Sequence, residues 1–168
     1  DPMFWDALLS EKGQEQAKKL KQDVANLKVD VVITSPLRRA MLTALGAFEK
    51  IEVHPLCTER VDNACDIGST PKELQPQFPN VDFSGLPDVW WYTDGKKLTA
   101  ENYKKEFEQN RWEEPVENVD ERIKAFIKYL KEERKEQRIA VVAHSSYFQR
   151  WTKMPRKLHN CEVKEVKI

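Results

Sequence analysis

Net charge is the first thing this chain lacks: Lys plus Arg and Asp plus Glu number 28 each over 168 residues. Without an overall field the chain has no general attraction for nucleic acid or an anionic membrane, so any anion site must be local. Long apolar runs are missing too, with nothing near the ~20 residues that a bilayer-crossing helix needs. No signal-peptide pattern stands at the N-terminus, although a targeting segment removed upstream is left open. Cysteine is scarce. Cys57, Cys65 and Cys161 are odd in number and lack close metal-type pairs, which fits free thiols in a reducing intracellular compartment, the cytoplasm or an organelle reached through a cleaved segment. His54 with Cys57 has no second pair to complete a zinc site. Repeats, low-complexity tracts and linkers are absent, so residues 1–168 read as one domain large enough to bury a substantial core.

What is present is organised around Val31–Ala44, VVITSPLRRAMLTA. The Val/Ile run reads as a buried strand, and Thr-Ser-Pro after it opens a run rich in Ala, Leu, Met and Arg that reads as a helix. Arg38 and Arg39 fall in that helix's first turn, where the dipole disfavours positive charge and free N–H groups favour an anion. They either hold a phosphate at the end of a strand or pair with acidic neighbours.

The remaining elements follow from periodicity and caps. Ser10 caps a helix to about Leu27, with Ala17, Leu20, Val24 and Leu27 on its apolar face. Val29–Thr34 and Ile51–Leu56 flank a helix from Leu37 to about Lys50, which makes a parallel crossover. Thr70-Pro71-Lys72-Glu73 is a capping box opening a short helix. A helix from Asn118 carries the stripe Ile123, Phe126, Ile127 and Leu130. Arg138–Ala143 is a strand ending at His144, and a further helix follows from Ser146. Cys161–Ile168 alternates in two halves whose phase slips at Lys164–Glu165, which predicts an edge strand with a bulge. Residues 57–115 are different. They are loop-rich and hold three of the five tryptophans, and an insertion of that length predicts a cap over a site. Trp90-Trp91-Tyr92 is either a satellite core or an apolar wall for a leaving group.

Four groups of residues carry a family resemblance. Thr34-Ser35-Pro36-Leu37-Arg38-Arg39-Ala40 with Thr43-Ala44 resembles the second signature of the histidine phosphatase superfamily, the phosphoglycerate-mutase-like phosphatases. Asp6–Gly13 with Gln16-Ala17 is similar to the segment opening the family's first helix, and Ala140–Ser145 to its second histidine motif. Cys65–Ser69, Phe78-Pro79, Asp82–Ser84 and Leu86-Pro87 with Trp90-Trp91 are similar to one small-phosphatase branch. One feature departs from the family. Its opening strand ends in Arg-His-Gly, whose histidine becomes phosphorylated, and no such tripeptide occurs in these residues. The chain opens at Asp1, at about the point that follows that strand and its loop in the family. The expectation is a processed or truncated chain, or loss of the motif.

The resemblance implies an α/β fold of three layers, a mostly parallel sheet with helices on both faces, lacking the family's first strand. It implies Arg39 and Ser35 as phosphate-binding residues with Ser145 beside them, His144 stabilising the transferred phosphoryl group, and Glu59 as proton donor with Asp62 and Asp66 as rivals. No metal or cofactor is needed, because arginine and histidine supply the positive charge. The partner implied is a phosphorylated small molecule or phosphoprotein, with neither nucleic acid nor a membrane span. Three functions remain open: a phosphomonoesterase acting through phosphohistidine, if an upstream segment supplies the nucleophile; a non-catalytic subunit with protein partners; and a phosphoglycerate-type mutase.

Overall fold

The computed structural model describes residues 4–168. Its framework is a parallel three-stranded sheet, β1 (Val31–Thr34), β2 (Glu52–Val53) and β3 (Ile139–Val142), in the order β2-β1-β3. β1 is central, pairing Ile33 with Glu52 on one side and Val31 through Thr34 with Ile139 through Val142 on the other. The Val/Ile content favours these pleated, two-sided positions. Pro55 cuts the second strand short, because His54 Nδ1 accepts from Leu56 N at 3.2 Å and a 3-10 turn, Pro55–Cys57, begins there.

Helices cover both faces. α1 (Glu11–Asp23) is capped by Ser10, whose Oγ accepts from Gly13 N at 3.2 Å. α2 (Arg38–Ala47) buries Ala40, Met41, Ala44 and Ala47. The two helices approach closely at Gly46, where an added Cβ would stand 2.9 Å from the Ala17 Cβ. On the opposite face, α5 (Val116–Glu132) and α6 (Ser145–Thr152) pack Val119, Ile123, Phe126, Leu130 and Tyr147 against Ile33, with Val31, Ile139 and Val141 beside it. Strand alternation sends these odd-numbered side chains to one face and Val32 to the other.

Residues 57–115 contain only two short α-helices, α3 (Pro71–Leu74) and α4 (Tyr103–Asn110). The expected capping box is present, with Thr70 Oγ1 accepting from Glu73 N and Glu73 Oε2 from Thr70 N. Trp90, Trp91, Tyr103, Phe107 and Trp112 are buried there in a core shared with Leu37 and Met41. The tryptophan pair therefore belongs to a satellite core and not to a ligand wall.

Two expectations are corrected. α1 ends at Asp23, its last turn closed by the Val24 N–H, so Leu27 is exposed rather than part of the apolar face. The C-terminal segment forms no strand. Cys161 takes a left-handed turn (φ 61°), and Val163, Val166 and Ile168 stand exposed. Its alternation has no ladder partner among the described residues, and alternation without pairing does not make a sheet.

Candidate functional site

The carboxyl ends of β1 and β3 are tied together. Thr34 Oγ1 donates to the Val142 carbonyl at 3.0 Å, and Ser35 N donates to the same oxygen at 3.1 Å. Open parallel sheets place ligands beyond this end, and the turns after β1 and β3 bring Arg39 and His144 to it.

His144 is buried at the N-cap position of α6, and its Nε2 has no hydrogen-bond partner among the described residues. Burial, reinforced by the charges of Arg39 and Arg122, holds its pKa well below the ordinary 6.5, so the ring is neutral near pH 7. A buried ring nitrogen without a partner is costly, and an oxygen-bearing ligand would relieve that cost.

Glu59 lies against the same turn, with Oε2 accepting from Ser146 N at 3.4 Å and Oε1 from Arg60 N at 2.9 Å. Burial raises its pKa, opposed by the Arg60 N–H and by Arg39. A carboxyl so placed keeps its proton more readily than a solvated one, as a general acid must. Its rivals are otherwise engaged. Asp62 is exposed and bonded to the Asn63 side chain. Asp66 is buried, is pushed up to about 6 by burial, and accepts from Arg39 Nη2 at 2.7 Å.

The two adjacent arginines diverge. Arg38 turns to the buried Asp6, donating from its backbone N to Oδ1 at 2.8 Å and from Nε to the Asp6 carbonyl at 2.7 Å. Asp6 also accepts from Ser69 N at 3.1 Å, so one carboxylate ties the start of the described chain, α2 and the 57–115 segment together. Arg39 turns to the 57–115 segment, where its Nη1 and Nη2 donate to the Cys65 carbonyl (2.6 Å) and to Asp66, and its charge acts on Glu59 and His144. Both arginines therefore pair with acidic neighbours. Ser35 is buried with its Oγ accepting from Leu37 N (3.3 Å) and donating to Thr58 Oγ1 (3.4 Å). It makes no bond to Arg39 among the described residues, and instead links the β1 turn to the loop that carries Glu59. Ser145 opens α6, half-buried, between His144 and the Ser146 N–H that Glu59 accepts.

Arg122 and Glu114 went unforeseen. Arg122 Nε and Nη2 grip Glu114 at 2.7 and 2.8 Å, and Nη1 donates to the carbonyls of Leu56 (3.0 Å) and Thr58 (3.1 Å), fixing the backbone that leads into Glu59. The signal lay in spacing: Arg122 stands three residues after Val119 and four before Phe126, a charge set on a buried stripe. Among the described residues no three His, Cys, Asp or Glu side chains converge as metal ligands, and no helix is long and apolar enough to cross a membrane.

A family model described as "Histidine phosphatase superfamily (branch 1)" matches residues 5–160. Phosphoserine phosphatase 1 of Hydrogenobacter thermophilus is 28% identical over 143 residues, covering 83% of this chain and 60% of that protein. Phosphoglycerate mutase-like protein 1 of Arabidopsis thaliana is 26% identical over 184 aligned residues, covering 86% of this chain and 59% of the relative. The chain thus spans about three fifths of the length of these curated relatives. Among solved structures, a mycobacterial glucosyl-3-phosphoglycerate phosphatase in complex with inorganic phosphate superposes with a TM-score of 0.54 at 19% identity, over 90% of this chain and 72% of that one. At that identity the likeness is one of fold.

Proposed function

The chain belongs to the histidine phosphatase superfamily, and from that premise we propose that it provides the phosphoryl-binding and proton-donating half of a metal-independent phosphomonoesterase. The observation that carries this reading is the neutral, buried His144 with its unpartnered Nε2, set at the strand ends within the influence of Arg39 and beside Glu59. Arg39 and His144 contact the phosphoryl oxygens as charge develops on them. A histidine nucleophile attacks phosphorus, the P–O bond to the leaving group breaks, and Glu59 gives its proton to the departing oxygen. Water then attacks the phosphohistidine with Glu59 as base, releasing inorganic phosphate and restoring the imidazole.

The nucleophile in this scheme is the histidine of an Arg-His-Gly that does not occur in these 168 residues. In a second reading the same residues bind phosphate without hydrolysing it and the protein acts as a binding subunit. The deciding experiment uses the whole protein with p-nitrophenyl phosphate, trapping of acid-labile phosphohistidine, and vanadate titration. Hydrolysis predicts turnover that drops by orders of magnitude in His144→Gln, and a phosphohistidine that can be trapped. Vanadate binding with neither turnover nor trapped phosphate selects the binding subunit. In both cases Arg39→Ala abolishes vanadate binding, and an unchanged affinity in that variant removes the phosphate site itself.

A further inference from the structure

Arg39 is held from one direction only. Both acceptors on its guanidinium come from a single turn, the Cys65 carbonyl at 2.6 Å from Nη1 and Asp66 Oδ1 at 2.7 Å from Nη2. That turn is rigid on its own account. Asp66 is 5% exposed and its second oxygen accepts from Asn63 N at 3.2 Å. Just beyond, Trp90 covers Gly68 so closely that a Cβ there would lie 2.1 Å from Cζ2, and Trp90 Nε1 donates to the Ser69 carbonyl at 2.9 Å. Among the described residues the Arg39 Nε–H donates to nothing.

We propose that Asp66 and the Cys65 carbonyl clamp the Arg39 guanidinium, leaving its Nε–H and one N–H on each terminal nitrogen for the oxygens of a phosphoryl group. This rests on the reading of Arg39 as the phosphate ligand. Asp66 is thereby a positioning residue and not the proton donor. The alternative is competition, in which an incoming anion displaces Asp66. It fails on geometry, because Asp66 is buried and its other oxygen accepts from the Asn63 N–H, a bond it would give up in swinging aside. A guanidinium has five donors in a planar fork, so two can be fixed while the remainder engage a second anion. An unclamped arginine would have to surrender its rotamer freedom when ligand arrives, and the clamp removes that cost beforehand.

The test reads the clamp and the ligand separately, in the full-length protein. The Nε–Hε resonance of Arg39, assigned by its loss in Arg39→Lys, reports whether the guanidinium is fixed, and titration with inorganic phosphate reports affinity. In Asp66→Ala the resonance moves to the position of free arginine side chains and phosphate affinity falls at least tenfold. Asp66→Asn, whose amide oxygen still accepts from Nη2, keeps the resonance and holds affinity within threefold. An unmoved resonance in Asp66→Ala, or phosphate bound as tightly or more tightly than by wild type, overturns the clamp. A resonance that responds as expected in a protein that never binds phosphate supports the clamp and sinks the reading of Arg39 as phosphate ligand.

Discussion

The sheet region and the 57–115 segment achieve order by different means. Around β1 the backbone does most of the work: ladder bonds to β2 and β3, and regular apolar stripes on α2 and α5, repeat at periods of two and of three to four. In 57–115, α3 and α4 contribute four and eight residues, and side chains hold the rest. Trp90 and Trp112 each spend an indole N–H on a backbone carbonyl, Ser69 and Tyr92 respectively. The Gln75 amide donates to three carbonyls, those of Phe78, Pro79 and Val81. A region built on ladders tolerates the loss of one side chain. A region built on single side chains concentrates its stability in a few of them.

The widest contrast is between two arginines. Arg122→Ala leaves Glu114, which is fully buried, without its partner, and is expected to lower unfolding free energy by about 3–5 kcal/mol in denaturant melts. Arg134→Ala, at the edge of the sheet region with the exposed Glu52 and partly exposed Glu136, should lower it by no more than about 1 kcal/mol. Equal losses would show that the Glu114 pair holds nothing in 57–115 that surface pairs do not hold elsewhere. Two glycines of that segment narrow the contrast. Gly68→Ala drives a methyl into Trp90 and should cost about 1–3 kcal/mol, with a changed near-ultraviolet dichroism, whereas Gly85→Ala meets nothing within 4 Å and should stay within about 0.5 kcal/mol.

Acid probes the sheet side through its histidines. His54 and His144 are both held below the ordinary 6.5 by burial, so the folded state binds fewer protons than the unfolded chain. Stability is full above that value and declines as pH falls through it, by up to about 1.4 kcal/mol per pH unit for each histidine. Burial raises Asp6, Glu59 and Asp66, which adds a term of opposite sign: their contribution grows as pH drops toward the ordinary carboxylate range. The difference between wild type and His144→Gln isolates one histidine, and the variant should lose less stability between pH 7 and 5.5. A difference that does not vary with pH would mean that His144 titrates in the folded protein as it does in the unfolded chain, and a difference that changes in the opposite direction would mean that the fold holds it charged. Smallest of all, Ser10→Ala removes an exposed helix cap and should cost about 1 kcal/mol.

The parts legible in the sequence were those with local periodicity. Val31–Ala44 named a strand, a turn and a helix, and the structure forms all three. The stripe of α5 and the apolar run into His144 were equally plain. Sequence proximity did not say which way adjacent arginines turn. Arg38 and Arg39 share one helical turn, yet one meets Asp6 and the other Asp66, partners 32 and 27 residues away that no short pattern encodes. The Arg122 grip on Glu114 was hidden likewise, because a charge on an apolar stripe announces that it needs a partner without naming it. The C-terminal alternation misled for the converse reason: a period of two is necessary for a half-buried strand but supplies no neighbouring strand.

The pairing of β1 with β3 has a consequence in time. Thr34 and Val142 meet although they stand 108 positions apart in the chain. At the ~5–20 residues per second of protein synthesis, β1 leaves the ribosome roughly 5–20 s before its partner exists. During that interval Arg39 and Asp66 can already find one another, whereas His144 has not been made. The anion-holding side of the site is thus assembled first and the imidazole arrives with the last parallel strand. A nascent chain halted before Ile139 carries a charged half-site with no histidine beside it.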